Sequence, residues 1–167
     1  MKPSSSTYLQ VRGIKYHCRT WGNEGAPKIF MLHGFQDVSA TWQFVVDALE
    51  KEWYVIAPDW RGYGLSEWAK CDTYWFPDFI ADLDAILEHF EPELPVNIVA
   101  HSMGASVAAL YAGAVGDRVR KLVNVKASAA RRPTRRTRHA AIPNGCGRSC
   151  KVKSSARTQT TPISPNA

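Results

Sequence analysis

Ser102 lies in the run Val96-Asn97-Ile98-Val99-Ala100-His101-Ser102-Met103-Gly104-Ala105-Ser106. An apolar β-type stretch stops there and a small-residue helical stretch begins, so a hydroxyl is presented at a sharp strand-to-helix turn. A serine so placed is a candidate nucleophile, but a hydroxyl attacks poorly until a neighbouring base removes its proton. The bases on offer are few. His139 is the one histidine after Ser102, inside an arginine-rich stretch, and no Asp or Glu follows Asp117. His101 precedes the serine directly and is expected to point away from it. His17 and His89 fall on a strand and a helix without a partner pattern and read as surface or satisfied core side chains. Asp117 reads as a solvated loop carboxylate.

The elements that must position Ser102 follow from periodicity. Tyr8 to Val11 and Ile14 to Thr20 are short β-type runs joined by Arg12-Gly13, a hairpin signal. Lys28 to Leu32 reads as a buried strand running into His33-Gly34, and Trp53 to Ala57 as another, closed by Pro58. Trp42, Val46 and Leu49 at helical spacing predict a helix from about Ser39 to Glu50, capped by Ser39. Phe76, Ile80, Leu83 and Leu87 put an apolar stripe on a second helix, whose start is marked by Pro77. A strand over Val96 to Ala100, a helix over Met103 to Ala114 and a strand over Lys121 to Val125 complete the pattern. Alternating strands and helices predict an α/β fold, a mostly parallel sheet with flanking helices after an antiparallel start. The helices after Leu32 and after Ala100 are expected on opposite or adjacent faces. Trp42, Trp53, Trp60, Trp68 and Trp75 are expected in the core.

Charge divides the chain in two. Residues 1–125 carry 11 Lys and Arg against 15 Asp and Glu, whereas residues 126–167 carry 10 Lys and Arg and no acid. The first part is an ordinary mildly acidic globule; the second has only Ile142, Val152 and Ile163 as large apolar side chains and reads as a disordered basic tail. Two origins fit the abrupt shift to Arg, Ala, Pro, Ser and Thr: translation in a shifted frame, or an authentic basic tail. Such a tail would meet nucleic acid through phosphates alone, without base readout. No apolar leader stands in Met1 to Gln10, and no stretch reaches the ~20 apolar residues of a membrane span, so a cytoplasmic protein is expected. The four cysteines, at 18, 71, 146 and 150, lack the spacing of a metal site and read as free thiols.

Three motifs, each at a strand end, together resemble the α/β-hydrolase superfamily in its serine-nucleophile branch: His33-Gly34-Phe35, Asp59-Trp60-Arg61-Gly62-Tyr63-Gly64-Leu65-Ser66, and Ala100-His101-Ser102-Met103-Gly104. The last matches the G-x-S-x-G nucleophile elbow, with Ala100 in place of the first glycine. The resemblance implies Ser102 as nucleophile, backbone N–H groups of Phe35 and Met103 as the oxyanion hole, and His33-Gly34 as the oxyanion loop. It implies a structural role for the Asp59–Ser66 loop. It also implies an acyl substrate such as a carboxylic ester, and no cofactor or metal. Serine at the elbow, rather than aspartate, sets aside relatives that resemble epoxide hydrolases and haloalkane dehalogenases. Against the family pattern, residues 1–125 hold a truncated fold, with strands 7 and 8 and the cap missing. No catalytic acid and no catalytic base are found, so a catalytically incomplete enzyme is expected. The competing reading is a non-catalytic pseudoenzyme or a nucleic-acid binder acting through the tail. With the sheet ending at Val125, that edge is expected to be exposed and to offer a surface for self-association.

Overall fold

The computed structural model describes residues 1–70 and 74–126. The basic tail beyond Lys126, with His139, Cys146 and Cys150, and Cys71 lie outside the described residues.

The chain opens with β1 (Ser4–Val11) and β2 (Ile14–Trp21), an antiparallel pair. Arg12 and Gly13 both take positive φ, 49° and 81°, the backbone that a tight two-residue hairpin requires. Next come β3 (Lys28–Leu32), a 3-10 turn at Ser39–Trp42, and α1 (Gln43–Asp47). Then follow β4 (Tyr54–Pro58), α2 (Phe76–Phe90), β5 (Val96–His101), α3 (Met103–Ala114) and β6 (Val119–Val125). The sheet order is β1-β2-β4-β3-β5-β6; β2 runs antiparallel to β4, and the pairs β3–β4, β3–β5 and β5–β6 are parallel. This is the expected mostly parallel α/β sheet.

Strand alternation sends one set of side chains to each face. Phe30, Leu32, Ile56, Ile98 and Ala100 join Leu83, Ile86 and Leu87 of α2 and Val107 and Ala108 of α3 in one core. Ile29, Met31, Val55 and Ala57 join Trp21, Trp42 and Val46 of α1 in the other. The helices following β3 and β5 therefore occupy opposite faces. β6 is one of the two edge strands among the described residues, β1 being the other, and its Val123 and Val125 are exposed. No helix among the described residues is long and apolar enough to cross a membrane.

Three local expectations need correction. The helix expected over Ser39 to Glu50 is a 3-10 turn followed by five α-helical residues, and Ser39 is not its cap. The Ser39 N–H is instead committed to Asp59 Oδ1 at 2.6 Å, which anchors the turn to the loop after β4. On α2 the buried residues are Phe79, Asp82, Leu83, Ile86 and Leu87, while Phe76 is exposed. The stripe is rotated because a carboxylate, Asp82, belongs to it. Trp42 and Trp60 are core, but Trp68 and Trp75 are exposed.

Candidate active site

Parallel pairing of β3 with β5, in the register Leu32↔Ala100, brings the loop after β3 beside the turn after β5. Ser102 occupies that turn with φ 50° and ψ −112°. For a residue with a Cβ this is a sparsely populated conformation, costing of order 1–3 kcal/mol, held only where the surroundings over-determine it. They do so here. The Ser102 N–H donates to Val125 O of β6 at 3.1 Å, and Ser102 O accepts the first α3 hydrogen bond from Ser106 N–H at 3.1 Å.

Two glycines let the chain close on itself around the serine. A Cβ on Gly34 would stand 2.9 Å from His101 Nδ1 and 3.1 Å from Ser102 Cβ. On Gly104 it would stand 2.6 Å from both Leu32 O and His33 O. The loop after β3 thus touches the serine directly, and α3 starts hard against the end of β3. Met103 is the first residue of α3, so its N–H has no intrahelical acceptor. Phe35 follows Gly34 with its ring exposed.

His33 is fully buried, and every polar atom of its ring is engaged. Its Nε2 accepts the Trp60 N–H at 3.0 Å, which leaves Nδ1–H to donate to Gly34 O at 2.8 Å. The Trp60 indole Nε1–H donates in turn to His33 O at 3.0 Å. Burial holds His33 below the ordinary imidazole pKa, against the opposing pull of Gly34 O, Asp59 and Asp37. His33 is therefore a neutral clamp on the loop and has no free nitrogen with which to take a proton from serine. His17 is likewise buried and satisfied, by Asp59 Oδ2 at 2.8 Å and Ser6 Oγ at 2.9 Å. His89 is exposed near the end of α2, and Asp117 is an exposed loop carboxylate. Among the described residues no histidine is hydrogen-bonded to Ser102, and no cluster of three or more His, Cys, Asp or Glu could hold a metal ion.

The loop after β4 is built as a brace. Burial pushes the Asp59 carboxyl up, but hydrogen bonds from the N–H groups of Leu65 and Ser39 and from His17 outweigh it and hold it below the usual carboxylate range. Gly64, at φ 52°, passes so close to Asp59 that any Cβ would overlap its carboxylate. Ser66 Oγ donates to Asp59 O at 2.6 Å and accepts the His17 N–H at 2.9 Å. Arg61 forms a two-point pair with Asp82, its Nη2 at 2.7 Å from Oδ1, and Tyr16 OH donates to the same carboxylate. Trp60, fixed between these anchors, carries the brace to His33. Sequence reading assigned this loop to structure but missed Trp60 and Asp82 as its connections. An indole N–H reaching a carbonyl and an acid within an apolar stripe leave no mark on hydrophobic periodicity.

The model of the alpha/beta hydrolase fold family matches residues 27–143. The chain belongs to that family. It is 31% identical over 126 residues to epoxide hydrolase 4 of Mus musculus, covering 72% of this chain and 35% of that one. A serine hydrolase-like protein of Danio rerio is 29% identical over 106 residues, covering 63% of this chain and 32% of the relative. The solved thioesterase domain from the curacin biosynthetic pathway superposes with a TM-score of 0.70 at 26% identity, covering 75% of this chain and 47% of the other. The chain thus spans about a third of the length of these curated relatives. Within the hydrolase fold the residues singled out from sequence (His33, Gly34, Phe35, Ser102 and Met103) all come to one place, the ends of β3 and β5. The match also runs past Val125, where the composition shifts.

Two concavities among the described residues lie elsewhere. One of about 680 Å³ is lined by Trp21, Leu49, Trp53 and Val55, and one of about 470 Å³ by Pro27, Lys28, Val96 and Arg120. Both open at the ends where β3, β4 and β5 begin, opposite the serine turn.

Proposed function

We propose that this chain carries the nucleophile and oxyanion parts of a serine hydrolase acting on carboxylic esters or related small acyl compounds. In this reading Ser102 Oγ attacks the acyl carbonyl. The N–H groups of Phe35 and Met103 stabilise the oxygen as it gains charge, the alcohol leaves, and water then releases the acyl group from the serine. The observation that carries the reading is the backbone of Ser102: a serine held at φ 50° and ψ −112° between two glycines that admit no Cβ. Fold maintenance alone gives no reason to hold a serine there. A hydroxyl at this position favours acyl chemistry over the epoxide opening named for some relatives, since an alkoxide and a carboxylate form different intermediates. No cofactor enters the reaction as written, and the setting proposed is cytoplasmic, where a buried free thiol such as Cys18 is stable.

His33 and His17 are satisfied within the fold, and no histidine among the described residues is hydrogen-bonded to Ser102. The expected turnover is accordingly slow, near the residual ~10³ over water that an oxyanion hole and binding supply without a general base. Hydrolysis of p-nitrophenyl acetate by the full chain and by Ser102→Ala tests this. Slow turnover lost in the variant supports the reading. Turnover equal in both proteins overturns it.

A further inference from the structure

The concavity of about 680 Å³ lies apart from Ser102, where β2 ends and β4 begins, at the far end of the sheet from the serine turn. Buried Trp21, Val46 and Val55 and half-buried Leu49 and Trp53 line it, and all five pack together in the core on the α1 side. Trp21 and Val55 are direct partners in the β2–β4 ladder, so the floor is continuous sheet. The walls are tied to one another. Gly22 leaves β2 at φ 83°, so close to Trp53 O that a Cβ on it would overlap that oxygen. The Lys2 backbone N–H donates to Asp47 Oδ1 at 2.7 Å and its Nζ to Leu49 O at 2.6 Å, which straps the residues ahead of β1 to the end of α1. Gln43 joins strap to floor. Its Nε2 donates to Lys2 O at 3.0 Å, and its Oε1 accepts the Trp21 indole N–H at 3.0 Å.

We infer that this cavity is a binding site for a neutral, flat, fused-ring aromatic compound, separate from the site at Ser102. Its volume lies within the ~300–1,000 Å³ of small-molecule sites, and an apolar floor under a polar rim is their usual lining. Flatness follows from the two indoles, against which an aromatic ring gains stacked or edge-on contact that an aliphatic group of equal area does not. The Trp21 N–H is committed to Gln43, so that indole offers the ligand apolar surface. Neutrality follows from the exposed rim, where Lys2 and Lys51 stand with Glu50 and Glu52 and their charges cancel. A charged ligand would lose hydration there without a net opposite charge to replace it. Because the walls hold one another in place before a ligand arrives, little ordering opposes binding. An occupant at this end of the sheet is bound without being turned over, and the site stands whether or not Ser102 is a nucleophile.

The probe is 2-naphthol, which is flat and uncharged at neutral pH. Equilibrium dialysis measures its Kd for the full chain and for Trp53→Ala, Leu49→Gln, Ser102→Ala and Phe44→Ala, the last removing an exposed ring of α1 that does not line the cavity. The naphthol should bind saturably, weakened about tenfold or more by Trp53→Ala and by Leu49→Gln. Binding should be unchanged in Ser102→Ala and Phe44→Ala. The anionic 2-naphthoate, the cationic 2-naphthylmethylamine and the saturated decahydro-2-naphthol should each bind at least about threefold more weakly. Absence of saturation up to about 1 mM, or full affinity in Trp53→Ala and Leu49→Gln, would overturn the inference. So would equal losses in Phe44→Ala, or an analogue that binds as tightly as the naphthol. Weakening by Ser102→Ala would put the ligand at the serine turn and overturn it as well. A thermal melt verifies the folding of each variant, and Leu49→Gln, a change of similar volume at a half-buried position, decides the matter where Trp53→Ala does not fold.

Discussion

Gly104→Ala and Gly113→Ala place the same substitution at two positions of α3 with opposite expected signs. In a helix, alanine is favoured over glycine by up to about 1 kcal/mol. At Gly113 nothing lies within 4 Å of the added Cβ, so that gain should appear as a stabilisation. At Gly104 the Cβ would sit 2.6 Å from two backbone carbonyl oxygens, Leu32 O and His33 O, and 2.9 Å from Leu32 C. These are backbone atoms of the last residue of β3, a central strand paired on both sides, and of the residue after it, and they cannot yield as a flexible side chain would. Over-packing of this kind costs about 1–3 kcal/mol, more than the helix gain. For a chain of this size each kcal/mol moves Tm by roughly 2–4 °C. Gly104→Ala is therefore expected to lower Tm by up to about 8 °C, and Gly113→Ala to raise it by about 2–4 °C. Thermal melts followed by circular dichroism decide it. A Gly104→Ala protein as stable as Gly113→Ala would mean that the helix does not start hard against β3, and the tight turn around Ser102 would be wrong.

Asp82→Ala removes the partner of a buried arginine. The hydrogen bonds and charge of Asp82 hold Arg61 above its ordinary pKa against the desolvation of burial, so the unpaired guanidinium should cost about 3–5 kcal/mol in urea denaturation. A loss below about 1 kcal/mol would show that water reaches the pair. Burial lowers the pKa of His33 in the fold, so the unfolded chain binds the extra proton first. Its contribution to stability is complete above the unfolded value near 6.5 and is lost as pH falls from there towards the folded pKa. Tm measured downward from pH 7 should fall in that window, and fall less in His33→Asn. We also propose that the exposed β6 edge supports self-association. Val123→Lys should shift sedimentation towards monomer with little change in Tm.

Much of the fold was legible because its strands are short apolar runs ended by glycine or proline. Lys28–Leu32 and Met103–Ala114 coincide with β3 and α3. The serine turn was legible for the same reason, since Ala100, Gly104 and Ala105 mark a place where only small side chains fit. What escaped was polar and tertiary. Asp82 looks like a surface acid until Arg61 and Tyr16, distant in sequence, are seen around it. Ser39 looks like a helix cap, but Asp59 takes its N–H. Trp68 and Trp75 look like core because tryptophan is usually buried, and only the fold shows that no element of the described residues covers them.

The central claim is that the strained turn presents Ser102 as a nucleophile. A fluorophosphonate ester reacts covalently with an activated serine hydroxyl, and peptide mass spectrometry locates the adduct. Incubation of the full chain should give a single phosphonylated serine, on the peptide carrying Ser102, formed slowly and lost on prior unfolding. No adduct on Ser102, or equal modification of Ser39, Ser66 and Ser106, would contradict it.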